Sequence, residues 1–185
     1  MDKRIRLLKA TPFIILLLAG RTLAAQENNS GIPIPMKNGI VFYENSFPLA
    51  SAGSKNKTYR LAENWIKTAF PGSKPATTAA REKGELKSQG LFKIITDSAM
   101  GHYYWIRPAI NITITGDSCK IELFNYYEKP VMPGVTNDYS KIEYRWWDFR
   151  KGKPWNREDA ALFKGIDEKS IALIRSFRNR LNAKY

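Results

Sequence analysis

Residues 103–127 read YYWIRPAINITITGDSCKIELFNYY. Two runs rich in β-branched and aromatic residues flank TGDS, and Gly116 with Asp117 suits a two-residue hairpin turn. Such a turn pairs Thr115 with Ser118 and Ile114 with Cys119. The rest of the register follows by counting, because side chains alternate between faces with a period of two. Counting places Ile106, Ile110, Ile112 and Ile114 on one face with Cys119, Ile121 and Leu123, which makes this the expected core face. The opposite face then carries Tyr103, Trp105, Arg107, Asn111, Lys120, Glu122, Phe124, Tyr126 and Glu128, a polar surface unusually rich in rings. Pro108 inside the first run marks an edge or a bulge, since proline brings no N–H to the ladder.

Towards the N-terminus, GIVFYENSF (39–47) alternates Val41, Tyr43 and Phe47 as a first strand. NKTYRLAENWIKTAF (56–70) is a helix whose stripe, Tyr59, Ala62, Trp65, Ile66, Ala69 and Phe70, reads as core packing. Ser54 is a candidate cap ahead of it, and Pro71-Gly72 ends it. A weak strand is expected over 74–82, and a better one over 85–97 with Leu86, Phe92 and Ile94 on one face. Residues 129–156 contain Pro130, Pro133, Gly134 and Gly152 and look like a long excursion with one short strand at KIEYRWW. Residues 156–165 suit a short helix capped by Asn156. Residues 167–185 suit a closing helix capped by Asp167, with Ile171, Ile174, Phe177 and Leu181 as its stripe. Grouped strands with a helix at each end argue an α+β domain: an antiparallel sheet in β-α-β-β-β-β-α order, with two helices on one face and the other face free.

The first 25 residues, MDKRIRLLKATPFIILLLAGRTLAA, have a basic start, a short apolar run from Phe13 to Ala19, and small residues ahead of Gln26. That pattern is a secretory signal. An uncleaved anchor fits less well, because the run falls far below the roughly 20 residues a spanning helix needs. Arg21, rather than a cysteine, follows LAG, which argues against a lipid-anchored precursor. The expected location is therefore periplasmic or secreted, with 26–38 as a linker and 39–185 as a single domain. Without residues 1–25, which hold Lys3, Arg4, Arg6, Lys9 and Arg21 against Asp2, the net charge falls from +13 to +9. In an envelope, such a charge favours anionic lipid, lipopolysaccharide or acidic glycans as partners.

Catalytic chemistry finds little support. His102 is the only histidine, so no multi-histidine metal site exists, and Cys119 is the only cysteine, so no internal disulfide exists. The hairpin register puts Cys119 opposite Ile114, roughly 40 Å of extended strand from His102. The carboxylate pairs Glu158-Asp159 and Asp167-Glu168 sit at expected helix starts, where capping explains them. No phosphate-binding glycine loop is present. No catalytic, metal or cofactor residues are assigned. Asp97-Ser98-Ala99, in an expected turn, resembles the short O-glycosylation acceptor of exported Bacteroidota proteins and makes Ser98 a candidate acceptor.

The order of four features resembles the secreted domain of unknown function with a TATA-binding-protein-like (TBP-like) fold, common in Bacteroidota. They are the leader, the Tyr59-x-x-Ala62-x-x-Trp65 helix face, the hairpin YWIRPAINITITGDSCKIELFNYY, and the closing SIALIRSFRNRL. The likeness covers residues 39–128 best. It implies a curved sheet gripped by helices, and it implies no reaction, ligand or catalytic residue.

The functional expectation is a non-enzymatic envelope module whose candidate surface is Tyr103, Trp105, Arg107, Phe124 and Tyr126 on the free sheet face, with Arg145 and Trp146 of YRWWDFRKGKPW (144–155) nearby. Its partner would be an envelope protein, a peptide or a glycan. In that second stretch Arg145, Arg150 and Lys151 would be a solvated rim, and Trp146 and Trp147 would point to opposite sides if extended. Burial of the rings under the 129–156 excursion is the competing reading. Nucleic-acid binding is the alternative, suggested by charge, interleaved rings and fold analogy. It is opposed by the leader and by the dispersal of the basic residues. An enzyme of unrecognised type is the remaining possibility.

Overall fold

The computed structural model describes residues 34–49, 55–71, 81–145 and 156–182. The elements are β1 (Met36–Lys37), β2 (Ile40–Pro48), α1 (Lys55–Ala69), β3 (Glu85–Gln89), β4 (Phe92–Asp97), β5 (His102–Thr115), β6 (Ser118–Val131), β7 (Ser140–Lys141) and α2 (Arg157–Asn182). All strand pairs are antiparallel, in the order β1-β2-β6-β5-β3, with β4 also on β5 and β7 also on β6. Setting aside the two-residue strands β1 and β7, the order is the expected β-α-β-β-β-β-α.

The β5–β6 hairpin is the spine. Its turn is Gly116 and Asp117, and Thr115 pairs with Ser118 and Ile114 with Cys119, as counting requires. The seven residues assigned to its core face are all buried. Against them lie Val41, Tyr43 and Phe47 of β2, Tyr59, Ala62, Trp65 and Ile66 of α1, and Leu162, Phe163, Ile166, Leu173 and Phe177 of α2. The two helices meet where Trp65 packs on Phe177 at 5.0 Å between ring centroids and donates Nε1–H to Ser176 Oγ at 3.2 Å. Both helices therefore cover one sheet face, and the other is free of helices.

Several boundaries differ from expectation. Ile34 is buried and Met36–Lys37 pairs with β2, so the end of the expected linker belongs to the sheet. The expected strand at 74–82 lies largely outside the described residues, and its last part, Arg81 onward, is a turn. The run 85–97 is two strands, broken at Gly90 and Leu91. A Cβ on Gly90 would stand 2.7 Å from the Phe70 ring, so the chain passes too close to α1 for any larger residue. The two expected C-terminal helices are one, Arg157–Asn182. Gly165, at which the expected short helix ended, lies inside it, where a Cβ would come within 2.6 Å of Ile94. Its absent side chain brings the helix onto β4. Asp167 is therefore no cap, and instead accepts the Tyr43 hydroxyl at 2.9 Å. The stripe shifts as well. Leu173 and Ser170 are buried while Ile171 is exposed. The core row runs through a serine, which apolar periodicity passes over.

Candidate functional site

The helix-free face is divided by a bulge. Ala109 pairs with Phe124 and Arg107 with Tyr127, so Asn125 and Tyr126 share Pro108 as their partner. Asn125 has φ of 49°, in the left-handed region that asparagine tolerates better than most residues. Pro108 has no N–H for the ladder, so the extra residue sits where a bond was already missing. Pro108 was read as an edge or a bulge, and it is the bulge, in a central strand.

The consequence is a change of phase along β6. Up to Phe124 the even-numbered side chains face outward, and from Tyr126 on the odd-numbered ones do. Tyr126, expected on the free face, is 0% exposed in the core, where its hydroxyl is 2.8 Å from Ser170 Oγ. Burial raises its pKa. Glu128 likewise turns inward, 4% exposed. Tyr127 and Lys129 take their places outside. An unbulged count would have set Glu128 opposite Trp105, but the actual partner of Trp105 is Lys129.

Beyond the bulge, the open face is therefore cationic and aromatic. Trp105 lies between Lys93 on β4 and Lys129 on β6. Tyr103 meets Trp105 edge-on at 6.1 Å, and Lys93 Nζ stands 3.7 Å from the Tyr103 ring centroid. The Arg107 guanidinium lies 4.0 Å from the Tyr139 ring and 5.4 Å from the Tyr127 ring, and Lys129 is 5.7 Å from Tyr139. Arg107 Nε is buried without a hydrogen-bond partner. Among the described residues these cations are held by ring faces and have no carboxylate partner. A ring attracts a cation through its quadrupole but does not cancel the charge.

Before the bulge, the same face is neutralised. Lys120 Nζ is 2.5 Å from Glu122 Oε1, Asn111 Nδ2 donates to Glu122 Oε2 at 2.7 Å, and Lys37 and Glu44 pair at 3.5 Å. Phe124, a predicted surface ring, is half-buried and packs on Phe42 at 6.0 Å.

Residues 129–145 and 156 of the 129–156 excursion are described. Residues 129–131 extend β6, Tyr139 reaches Arg107, and the expected strand at KIEYRWW shrinks to Ser140–Lys141. Glu143 then turns inward and accepts the Val41 N–H at 3.0 Å. Tyr144 and Arg145 are helical, not extended. Trp146 and the rest of the basic-aromatic stretch through Trp155 lie outside the described residues.

Arg145 is not a solvated rim residue. Its Nε donates to both Glu128 oxygens at 2.6 and 2.8 Å, its Nη1 to Asp159, and its Nη2 to the Tyr104 hydroxyl at 3.0 Å. Tyr104 and Thr96 donate to Glu158 Oε1, each at 3.2 Å. Burial pushes the Tyr104 hydroxyl up to about 12 and raises the Glu128 carboxyl, an effect that Arg145 opposes. Burial disfavours the charge on Arg145, but Glu128 outweighs it and keeps the guanidinium protonated. The cluster ties β5, β6 and the first turn of α2 together. Asn156 caps that turn as expected, accepting the Asp159 N–H at 2.7 Å, while the two carboxylates read as dipole partners bind Arg145, Tyr104 and Thr96 instead.

His102 and Cys119 stand near opposite ends of the hairpin, since Cys119 pairs with Ile114 and His102 begins β5. Burial pushes the Cys119 thiol up to about 12, so it is an inert core group. Ser98 lies exposed in the β4–β5 turn, where Asp97 Oδ1 accepts the Ala99 and Met100 N–H groups at 2.9 and 3.0 Å. The sequence count missed Lys93, Tyr127, Lys129 and Tyr139. Asn125 opposite Pro108 was the signal that would have moved the last strand positions into phase.

No protein-family model matches the chain, and no curated protein matches it. Solved structures do. A DUF4468 family protein from Bacteroides ovatus superposes with a TM-score of 0.64 at 14% identity, over 82% of this chain and 91% of that one. A TBP-like protein from Parabacteroides distasonis superposes with a TM-score of 0.57 at 17% identity, over 82% of this chain and 99% of that one. At such identity the likeness speaks to architecture, and it agrees with the element order above: the chain has the TBP-like α+β fold of these Bacteroidales proteins.

Proposed function

We propose that the protein is an exported, non-enzymatic binding module of the cell envelope that holds an anionic ligand on the open sheet face beyond the bulge. One observation carries the reading: Lys93, Arg107 and Lys129 are held against Tyr103, Tyr127 and Tyr139, with no carboxylate partner among the described residues. Such cations are pre-positioned and electrically uncompensated. An incoming anion gains them without having to break an ion pair. Export is supported by the leader pattern of residues 1–25.

The test is a panel of acidic and neutral oligosaccharides, peptides and phospholipid vesicles, measured across salt concentration. The acidic members should be retained over their neutral counterparts, retention should fall with salt, and Arg107→Gln should weaken it about tenfold, the loss expected for one charge-assisted contact. Equal retention of acidic and neutral members would end the reading. Steep salt dependence confined to added nucleic acid would favour the alternative partner instead.

A further inference from the structure

The cationic rows of the open face end in an apolar rim. From the bulge outward, the register sets Arg107 beside Tyr127, then Lys93, Trp105 and Lys129 in one row, then Ile95, Tyr103 and Val131 in the next. Past that last row come two loops, the β4–β5 turn and residues 132–139. They adjoin across a depression of about 340 Å³ lined by Gly101, Val131, Met132 and Val135 among others. Ile95 is 59% exposed, Met100 67% and Val135 46%, and Leu91, just before Phe92 on β4, is 42% exposed. Of the six large apolar side chains exposed among the described residues, Ile95, Met100 and Val135 lie at this end of the sheet, Leu91 lies back beside the bulge, and the others are Tyr144 and Ile171. A soluble acidic glycan accounts for the lysines and the arginine but gives Ile95, Met100 and Val135 nothing to cover them. A bilayer surface accounts for both: apolar tips enter the acyl boundary, Trp and Tyr sit at headgroup depth, and cations behind them meet anionic headgroups.

We infer that this end of the sheet docks on a membrane surface rich in anionic phospholipid, with Met100, Val135 and Ile95 inserted and with Lys93, Arg107 and Lys129 on the headgroups. This rests on the proposed anionic-ligand function and names its ligand. Asp97, at the end of β4, and Asp138, in the 132–139 loop, stand at this rim. The Asp97 carboxylate is turned to the backbone of its own turn, whose Met100 and Ala99 N–H groups hold its pKa low, so it remains charged and limits insertion to a shallow depth.

The experiment is flotation of the exported protein, purified from cells, with phosphatidylcholine vesicles made with and without phosphatidylglycerol. Lys93→Glu with Lys129→Glu tests the charge, and Ile95→Ser with Met100→Ser tests the tips. All share one N-terminus, so differences between them report the patch alone. Circular dichroism and Tm confirm that each variant folds. The expected result is flotation only with phosphatidylglycerol, reduced at least about tenfold by the charge pair and about tenfold by the apolar pair. No flotation with the anionic vesicles, or equal flotation of all variants, would overturn the inference. If an acidic oligosaccharide is bound while the vesicles are not, the membrane falls and the anion-binding face stands. If neither is bound, both fall. A sugar-sized increment on Ser98 in the intact mass would also overturn the inference, because a glycosylated turn cannot enter a bilayer.

Discussion

Two stretches of β6, residues 118–124 and 126–131, belong to one strand and obey opposite rules. In the first, Glu122 faces out and neutralises Lys120. In the second, Glu128 faces in, and the outward position beside Trp105 is taken by Lys129. One left-handed residue, Asn125, makes the difference. It exchanges a carboxylate for an ammonium at the centre of the open face without any change in composition. It also supplies the core with Tyr126, and with the carboxylate that Arg145 needs. A cationic open face and a buried ion pair are thus two products of the same bulge.

Shifting the phase at the bulge should break the comparison with the largest effect. Deleting Asn125 only removes the extra residue and keeps the native facing, but inserting one residue after it would carry every later side chain of β6 to the opposite face, moving Lys129 into the core and Tyr126 and Glu128 out of it. The expected cost exceeds about 5 kcal/mol, enough to abolish cooperative unfolding in a denaturant titration. Asn125→Gly keeps the backbone conformation and should leave stability within about 0.5 kcal/mol. If the insertion folds with native stability, the phase is not set at the bulge.

Arg145→Met strikes the inward product alone. It leaves Glu128 and Asp159 close together and only slightly exposed without their cation, and should cost about 3–5 kcal/mol at neutral pH. The sign with pH is fixed. The Glu128 pKa is already raised by burial, and without Arg145 it rises further. A carboxyl with a raised folded pKa contributes most below its unfolded value, and that contribution is lost as pH rises through the folded value. The gap between wild type and variant in thermal unfolding should therefore narrow from pH 7 towards pH 4. A gap that widened on acidification would mean that Glu128 is not the group left behind. Tyr126→Phe is milder, about 1–2 kcal/mol, because it strands the buried Ser170 hydroxyl, and Ser170→Ala in the same chain should recover part of the loss.

The fold was legible because its strongest signals are local. Gly116 and Asp117 fix the hairpin register, and the isoleucines of β5 then fix the core face. What escaped depends on contacts across the molecule. A short helix reads as ending at Gly165 until Ile94 is seen against that glycine, and Asp167 reads as a cap until Tyr43 reaches it. Of the candidate surface, Tyr103, Trp105 and Arg107 precede the bulge in chain order and kept their phase. Tyr126 follows it and lost its place. Arg145 was misjudged because a basic residue among aromatics looks the same in sequence whether its partner is water or a carboxylate from a distant strand. Lys93 was assigned no role because its part depends on pairing with Trp105 across two strands.

The smallest effect tests the neutralised half. Glu122→Gln removes the partner of Lys120, an ammonium that remains partly in water, so screening limits the loss to under about 1 kcal/mol at neutral pH. Burial would raise the Glu122 carboxyl, but hydrogen bonds from Lys120 and Asn111 outweigh it and hold the pKa below the usual carboxylate range. A depressed pKa contributes stability above the unfolded value and loses it as pH falls through the folded one, the reverse of Glu128. The difference between wild type and Glu122→Gln should therefore close on acidification below about pH 4. Ligand retention should respond too. Freeing Lys120 adds an uncompensated cation on the near side of the bulge, so Glu122→Gln should strengthen binding to anionic vesicles by a small factor, about twofold, if the two halves of the face act on one ligand. Unchanged binding would confine the ligand to the far half, where rings hold the cations.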